Sequence, residues 1–348
     1  MPLLSLAIAL LVGAIVIAAG GRDPIAAYLA LVNGAVGGAT PQQAAYNTSE
    51  TVINAIPLIF TGVSVAVAYR TGLFNIGAEG QLLVGALATG WFGVAFAGLP
   101  GLILLPATLA VGGAGGALYG AIAGALKAWR GAHEVITTIM LNYVAIFLMH
   151  WLLQNGPLAA PSSLGTPASA KIGDGAILPV ILPNELVPLS RLHAGMVIAI
   201  LALVVFWFLM WKTSLGYELR TVGFSARAAR QAGIDPRLRT MTVMAIAGAF
   251  AGIGGAVQIS GVLYRVYDGF SPGYGFEAIA VALLGKNAPV GILLSALLFG
   301  AFGHGGALMQ SNAQVSAQIV SVIEALVLFL VAAEVVTRVV AGRRKARA

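Results

Sequence analysis

Three groups of polar side chains stand inside apolar stretches of the chain, where each is costly. Asn75, Glu79 and Gln81 lie in "GLFNIGAEGQLLVGA", Glu134, Thr137, Thr138 and Asn142 in "EVITTIMLNYVA", and Glu277, Lys286 and Asn287 in "FEAIAVALLGKNAPVG". Glu324 stands alone in a later apolar run. Carboxylates and amides in such surroundings must face a polar cavity or be paired. For the first group two readings stay open. Gly72, Gly77 and Gly80 make a broken helix entry plausible there, so Asn75 and Gln81 either satisfy exposed backbone, with Glu79 paired to Arg70, or line and gate a translocation path. Glu277 and Asn287 border a second broken stretch, and paired broken helices in two halves of a chain often mark a transport path. Asn142 either faces that path or bonds a neighbouring helix, and hydrogen-bonded helix contacts are expected for Thr137 and Thr138. Glu324 is either a pore-facing carboxylate or a group paired within the bundle.

Other chemistries lack their residues. Cysteine is absent and the four histidines are scattered without ligand spacing, so no metal site or thiolate nucleophile is expected. No Ser/His/Asp or His-Glu-x-x-His constellation occurs, and "LLGKNAP" lacks the first glycine and the hydroxyl residue of a nucleotide-binding loop. No catalytic residue is expected.

The elements that position these groups follow from composition. Of 348 residues 59% are hydrophobic and only 9% charged, against about 25% charged in soluble proteins. An all-α, polytopic membrane bundle of about 8–10 helices is expected, forming one transmembrane domain over residues 1–348. Candidate spans are Leu3–Ala19, Thr51–Val67, Gly80–Gly98, Leu102–Leu126, Val135–Leu153, Ala194–Met210, Thr240–Val262 and Ser316–Thr337. The first is read as a retained helix rather than a signal peptide, since no basic residue precedes it. Between the last two lie the shorter pieces Phe276–Leu284 and Val290–Phe302, a re-entrant or broken pair, because nine residues make only about 14 Å of helix.

The net charge of +7 reports topology rather than nucleic acid. With the carboxyl terminus placed in the cytoplasm, all but four of the 19 Lys and Arg residues fall on the cytoplasmic side. The exceptions are Arg22, Lys171, Arg191 and Arg265. Both termini are then cytoplasmic, and the long breaks Gly20–Glu50 and Asn155–His193 lie outside. The second is either a flexible loop or a surface for an external partner. Gly112, Gly116, Gly120 and Gly124 put small residues on one helical face, which favours close helix packing.

The longest inner break, Lys212–Arg239, reads as a short amphipathic helix over about 215–233, stopped at Gly233. Leu219, Val222, Ala226 and Ala229 recur at helical spacing, and Arg220, Arg227 and Arg230 share another side. Lipid headgroups, a topological anchor and a partner protein are competing explanations.

"AARQAG" (Ala228–Gly233) resembles the core of the loop by which permeases of ATP-binding-cassette importers engage their ATPase, although Arg227 stands where glutamate is common and the usual Leu-Pro tail is missing. With "LRTVGFSARAARQAGI" standing between the second and third of the three polar motifs above, the chain resembles the branched-chain amino acid, simple-sugar and nucleoside permease group, and most the longer permease subunit of bacterial nucleoside importers. The resemblance implies a non-catalytic subunit of the bacterial inner membrane, without a cofactor of its own. ATP and Mg would be bound by a cytoplasmic ATPase; a second homologous permease, a solute-binding protein and membrane lipid would be the other partners. It places ATPase coupling on Leu219, Arg220, Val222, Gly223, Arg227, Ala228, Ala229, Arg230 and Gly233. The candidate path residues are Asn75, Glu79, Gln81, Asn142, Glu277 and Asn287. An ion-coupled secondary transporter using Glu79, Glu277 and Glu324 is the rival.

Overall fold

The computed structural model describes residues 2–160, 165–182, 187–316 and 318–330. The cationic tail from Arg338 onward and the end of the last expected span lie outside them. The described residues form helices joined by turns, with isolated β-bridges in place of a sheet.

Helix α1 (Pro2–Ala19) matches its expected span, but the break that follows is not a loop. It holds α2 (Pro24–Ala35) and the first turns of α3 (Pro41–Arg70), a helix about ten residues longer at its start than the apolar run alone indicates. Each begins on a side-chain cap followed by proline: Asp23 accepts from Ile25 N ahead of α2, and Thr40 from Gln43 N ahead of α3. Such pairs satisfy the free amides of a first turn and preset its φ. Helices α4 (Ala78–Ala95), α5 (Gly101–Arg130), α6 (Glu134–Gln154) and α7 (Gly195–Lys212) follow close to their expected bounds.

The amphipathic segment is two helices rather than one: α8 (Ser214–Phe224) and α9 (Ala226–Gln231), divided at Ser225. Then come α10 (Pro236–Gln258), continued by a π-turn at Ile259–Leu263, the short α11 (Tyr274–Leu284), α12 (Pro289–Ala313) and α13 (Gln318–Leu330). The expected pair of short pieces is thus one short helix and one full one, for α12 runs on past Phe302 to Ala313. Among the described residues six helices, α3, α5, α6, α7, α10 with its continuation, and α12, are long and apolar enough to cross a membrane.

Glycines fasten the centre. Gly112, Gly116, Gly120 and Gly124 of α5 face α10, where a Cβ at any of them would overlap Ala256, Gly248, Met244 or Met241. Gly248 and Gly252 offer the same absence of side chain from the other side. The stripe is a helix seam, with backbones in contact and dispersion as the adhesive.

Basic residues gather at one end. Lys127 pairs with Glu134 at 2.6 Å, Arg239 with Glu218, and Arg70 donates to the carbonyls of Lys286 and Asn287 at 3.2 and 3.1 Å. The described parts of the break, 155–160, 165–182 and 187–193, close the opposite end as a bonded cap. Ser169 N, Ile172 N and Leu178 N donate to the carbonyls of Val266, Tyr264 and Ser260, and Gly173 N to that of Gly93. Arg191 clamps Glu50 of α3 through two hydrogen bonds, 2.5 and 3.2 Å long, and Glu50 in turn holds the guanidinium more firmly protonated.

Candidate functional site

The first polar group sits where α4 starts. After α3 ends, residues 71–77 run as non-helical backbone that is largely buried, with Gly72 exposed and Phe74 and Ile76 half-buried, so side chains must supply partners for its buried polar atoms. Asn75 Oδ1 accepts from Gly77 N at 3.0 Å, and Asn75 Nδ2 donates to Gln81 Oε1 at 2.9 Å and Ser64 Oγ at 3.1 Å. Asn142 of α6 reaches the same joint: its Oδ1 accepts from Gly80 N at 2.9 Å and its Nδ2 donates to Ile76 O at 2.8 Å. Asn75, Gln81 and Asn142 are at most 2% exposed. Of the two open readings, their geometry matches backbone satisfaction.

Glu79 departs from its expected partner. Arg70 is occupied by the turn after α11 and lies 5.3 Å over the Trp211 ring, while Glu79 Oε2 accepts from Gly275 N at 2.7 Å. Gly275 lies in the first turn of α11, whose free amides favour an anion. A carboxylate carried by the first turn of α4 therefore serves the start of α11. Thr137 and Thr138 also depart from expectation: each hydroxyl bonds the carbonyl four residues back, on His133 and Glu134, within α6 itself. Asn287 is buried with φ +52° in the turn between α11 and α12, its carbonyl held by Arg70.

Glu277 has a different setting. Together with Glu324 of α13 it lines a cavity of about 320 Å³ that also receives Asn54, Tyr274, Gln310 and Phe299. Glu324, open to either reading from sequence, thus lies at a cavity wall. Asn54 and Gln310 escaped the sequence reading because single amides in long apolar helices carry no local pattern. The lining combines two carboxylates, two amides and aromatic walls, a set suited to an uncharged solute with hydroxyls and a flat ring.

The basic end carries the second candidate surface. Thr213, Ser225 and Asp235 each cap the helix that follows, accepting from Gly216 N, Ala228 N and Arg237 N. The side chains of Leu219 and Ala229, on which the resemblance places ATPase coupling, are 1% and 0% exposed and pack on the chain's own bundle. They are the apolar stripe that holds the segment down. What is exposed is Phe224, at 90%, with Tyr217 and Leu238 and with Gly223, Arg227, Ala228, Arg230 and Gly233 beside them; Arg220 and Val222 are half-buried. Phe224 at the α8–α9 break went unnoticed in the sequence because the segment was read as one helix.

Comparison with known proteins places the chain. Residues 47–332 match the family described as branched-chain amino acid transport system / permease component. The chain belongs to this family of multi-pass membrane permeases. It is similar to the guanosine ABC transporter permease protein NupP of Bacillus subtilis (strain 168), 40% identical over 99% of this chain and 96% of the relative. It also resembles the nucleoside ABC transporter permease protein NupB of Lactococcus lactis subsp. cremoris (37% identical; 99% and 93% covered). The glucose ABC transporter permease protein TsgB13 of Haloferax volcanii is 38% identical over 96% of this chain and 87% of its own length.

Proposed function

We propose that this chain is the non-catalytic permease subunit of an ATP-binding-cassette importer for nucleosides, and that the cavity bordered by Glu277 and Glu324 is its share of the path. The observation that carries the reading is that lining: hydrogen-bond acceptors for ribose hydroxyls beside aromatic walls for a base. Near-full-length similarity to the guanosine and nucleoside permeases supports it. Asn75, Gln81 and Asn142 build the wall behind the path rather than touch solute.

A cytoplasmic ATPase docks on Phe224, Tyr217, Arg227, Ala228 and Arg230, and the basic end is cytoplasmic, as excess Lys and Arg near membrane crossings predict. A second, homologous permease completes the path, and a solute-binding protein delivers ligand to the capped end. Reconstitution with these partners should give guanosine uptake that depends on ATP and survives an uncoupler. Uptake abolished by the uncoupler at constant ATP would replace this reading with the ion-coupled one. Glucose is the second substrate to test, because of the Haloferax relative. Orientation is read by single cysteines: Lys171→Cys is half-exposed and should label from outside, whereas the Ser169 hydroxyl is buried on Val266 N and is unsuitable.

A further inference from the structure

Resting on the ATPase-docking reading, we propose that the docked segment drives the cavity through the α3–α4 junction, by the contact of Gly223 with Thr71 and Gly72, and not only through the two helices that flank it. The flanking helices move with α8 in any case: α7 runs into it, and α10 is tied to it by the Glu218–Arg239 pair. The contact with the junction is of another kind, since it reaches a part of the bundle remote in sequence. At the last turn of α8, a Cβ built on Gly223 would stand 2.5 Å from the carbonyl carbon of Thr71. From the other side, a Cβ on Gly72 would stand 3.0 Å from the Gly223 carbonyl oxygen and 3.2 Å from its Cα. Backbone bears on backbone, with no side chain to absorb a displacement. The residue next to Gly223 is Phe224, the most exposed large apolar side chain of the docking surface.

The junction leads inward. Arg70, fixed by Trp211 and by the carbonyls of Lys286 and Asn287, pins the end of α3, so a push on Thr71 and Gly72 is passed to residues 72–77. That stretch is stiffened by Asn75 and ends in the first turn of α4, where Glu79 grips Gly275. The grip is close, for a Cβ on Gly275 would overlap the Glu79 backbone. Two residues beyond Gly275, Glu277 enters the cavity wall. Coupling between distant sites needs such a contiguous series of stiff contacts. Here each contact joins backbone to backbone or to a side chain without slack.

The test pairs two glycines at the basic end with left-handed backbone. Gly72 (φ +75°) faces Gly223, whereas Gly131 (φ +69°) has open space around its missing Cβ. Alanine at either position carries the same kind of backbone strain. In the reconstituted complex with ATPase and solute-binding protein, guanosine taken up per ATP hydrolysed should fall about five-fold or more in Gly72→Ala and stay unchanged in Gly131→Ala. Both variants should keep the ATPase bound. Equal ratios in the two variants overturn the inference and leave the docking reading standing; an unaltered chain that never binds an ATPase overturns both. Should Gly72→Ala fail to assemble, hydrogen exchange in the unaltered complex decides. Peptides covering 71–79 and 272–278 should change protection together when nucleotide is trapped with vanadate. Change at 272–278 without change at 71–79 overturns the inference.

Discussion

Two polar regions lie inside this bundle, and the difference between them is in their partners. At the α3–α4 junction Asn75, Gln81, Asn142 and Glu79 are committed to backbone amides, a carbonyl and one another. At the cavity, Glu277 and Glu324 face space shared with Asn54 and Gln310. Residue type does not separate the two regions, since both hold acids and amides in apolar sequence. The geometry of satisfaction does. A polar group spent on the backbone holds the fold, and one left facing a cavity remains available to a solute.

That division breaks if junction variants fold normally. The largest effect is expected for Asn142→Leu, which strips partners from both Gly80 N and Ile76 O; at about 1–3 kcal/mol for each buried group left unpaired, roughly 2–6 kcal/mol of stability is lost. Thermal unfolding in detergent and the yield of monodisperse protein measure it. Leu219→Asp should come next, at about 3 kcal/mol or more, because it buries an unpaired carboxylate under α8. Its signature is loss of folded protein rather than loss of ATPase coupling alone. Phe224→Ala reverses that signature. The melting temperature should hold, while ATPase co-purification weakens by about 2 kcal/mol, or roughly thirty-fold, as for a truncated interface anchor. Glu277→Gln should be the mildest for the fold: stability unchanged within about 0.5 kcal/mol, with guanosine uptake reduced at normal ATPase binding. Glu277→Gln that unfolds the chain, or Asn142→Leu that only slows uptake, would erase the distinction.

The capped end gives a pH test of the same logic. His193 is buried beside Gly195 and Gly261, and Nδ1 accepts from Gly195 N at 3.1 Å. Burial first, and then the Arg191 charge, push its pKa down to about 4. The unfolded chain therefore takes up a proton below about pH 6.5 that the folded chain refuses. Stability contributed by the neutral ring is complete above that pH and declines as pH falls toward 4. His193→Gln should flatten the decline in melting temperature over that window.

The sequence made the spans legible because lipid imposes one requirement on long apolar runs, and α4 to α7 start and stop close to where that requirement predicts. It hid α2 because alanine-rich helices with a polar start look like a loop when only hydropathy is weighed. The Asp23–Pro24 and Thr40–Pro41 pairs were the signals to follow. For the site, sequence located the broken stretches but not their roles. Whether Asn75 or Glu277 faces solute depends on helices distant in the chain, α6 for one and α13 for the other. What covers the apolar face of α8 is illegible for a related reason: an amphipathic pattern reports that one face is covered, not which body covers it. Leu219 and Ala229 are covered by their own chain.

The three caps on Thr213, Ser225 and Asp235 have a thermodynamic consequence for assembly. Because each helix of the segment 214–239 starts on its own side-chain cap, an ATPase that docks there as proposed leaves little conformational entropy to be lost on contact. Association then needs only a modest surface, and complex lifetime is set by how well that surface fits rather than by how long the segment takes to fold onto it. On the proposed docking, an ATPase lets go and returns within a working cycle without the permease having to find its shape again.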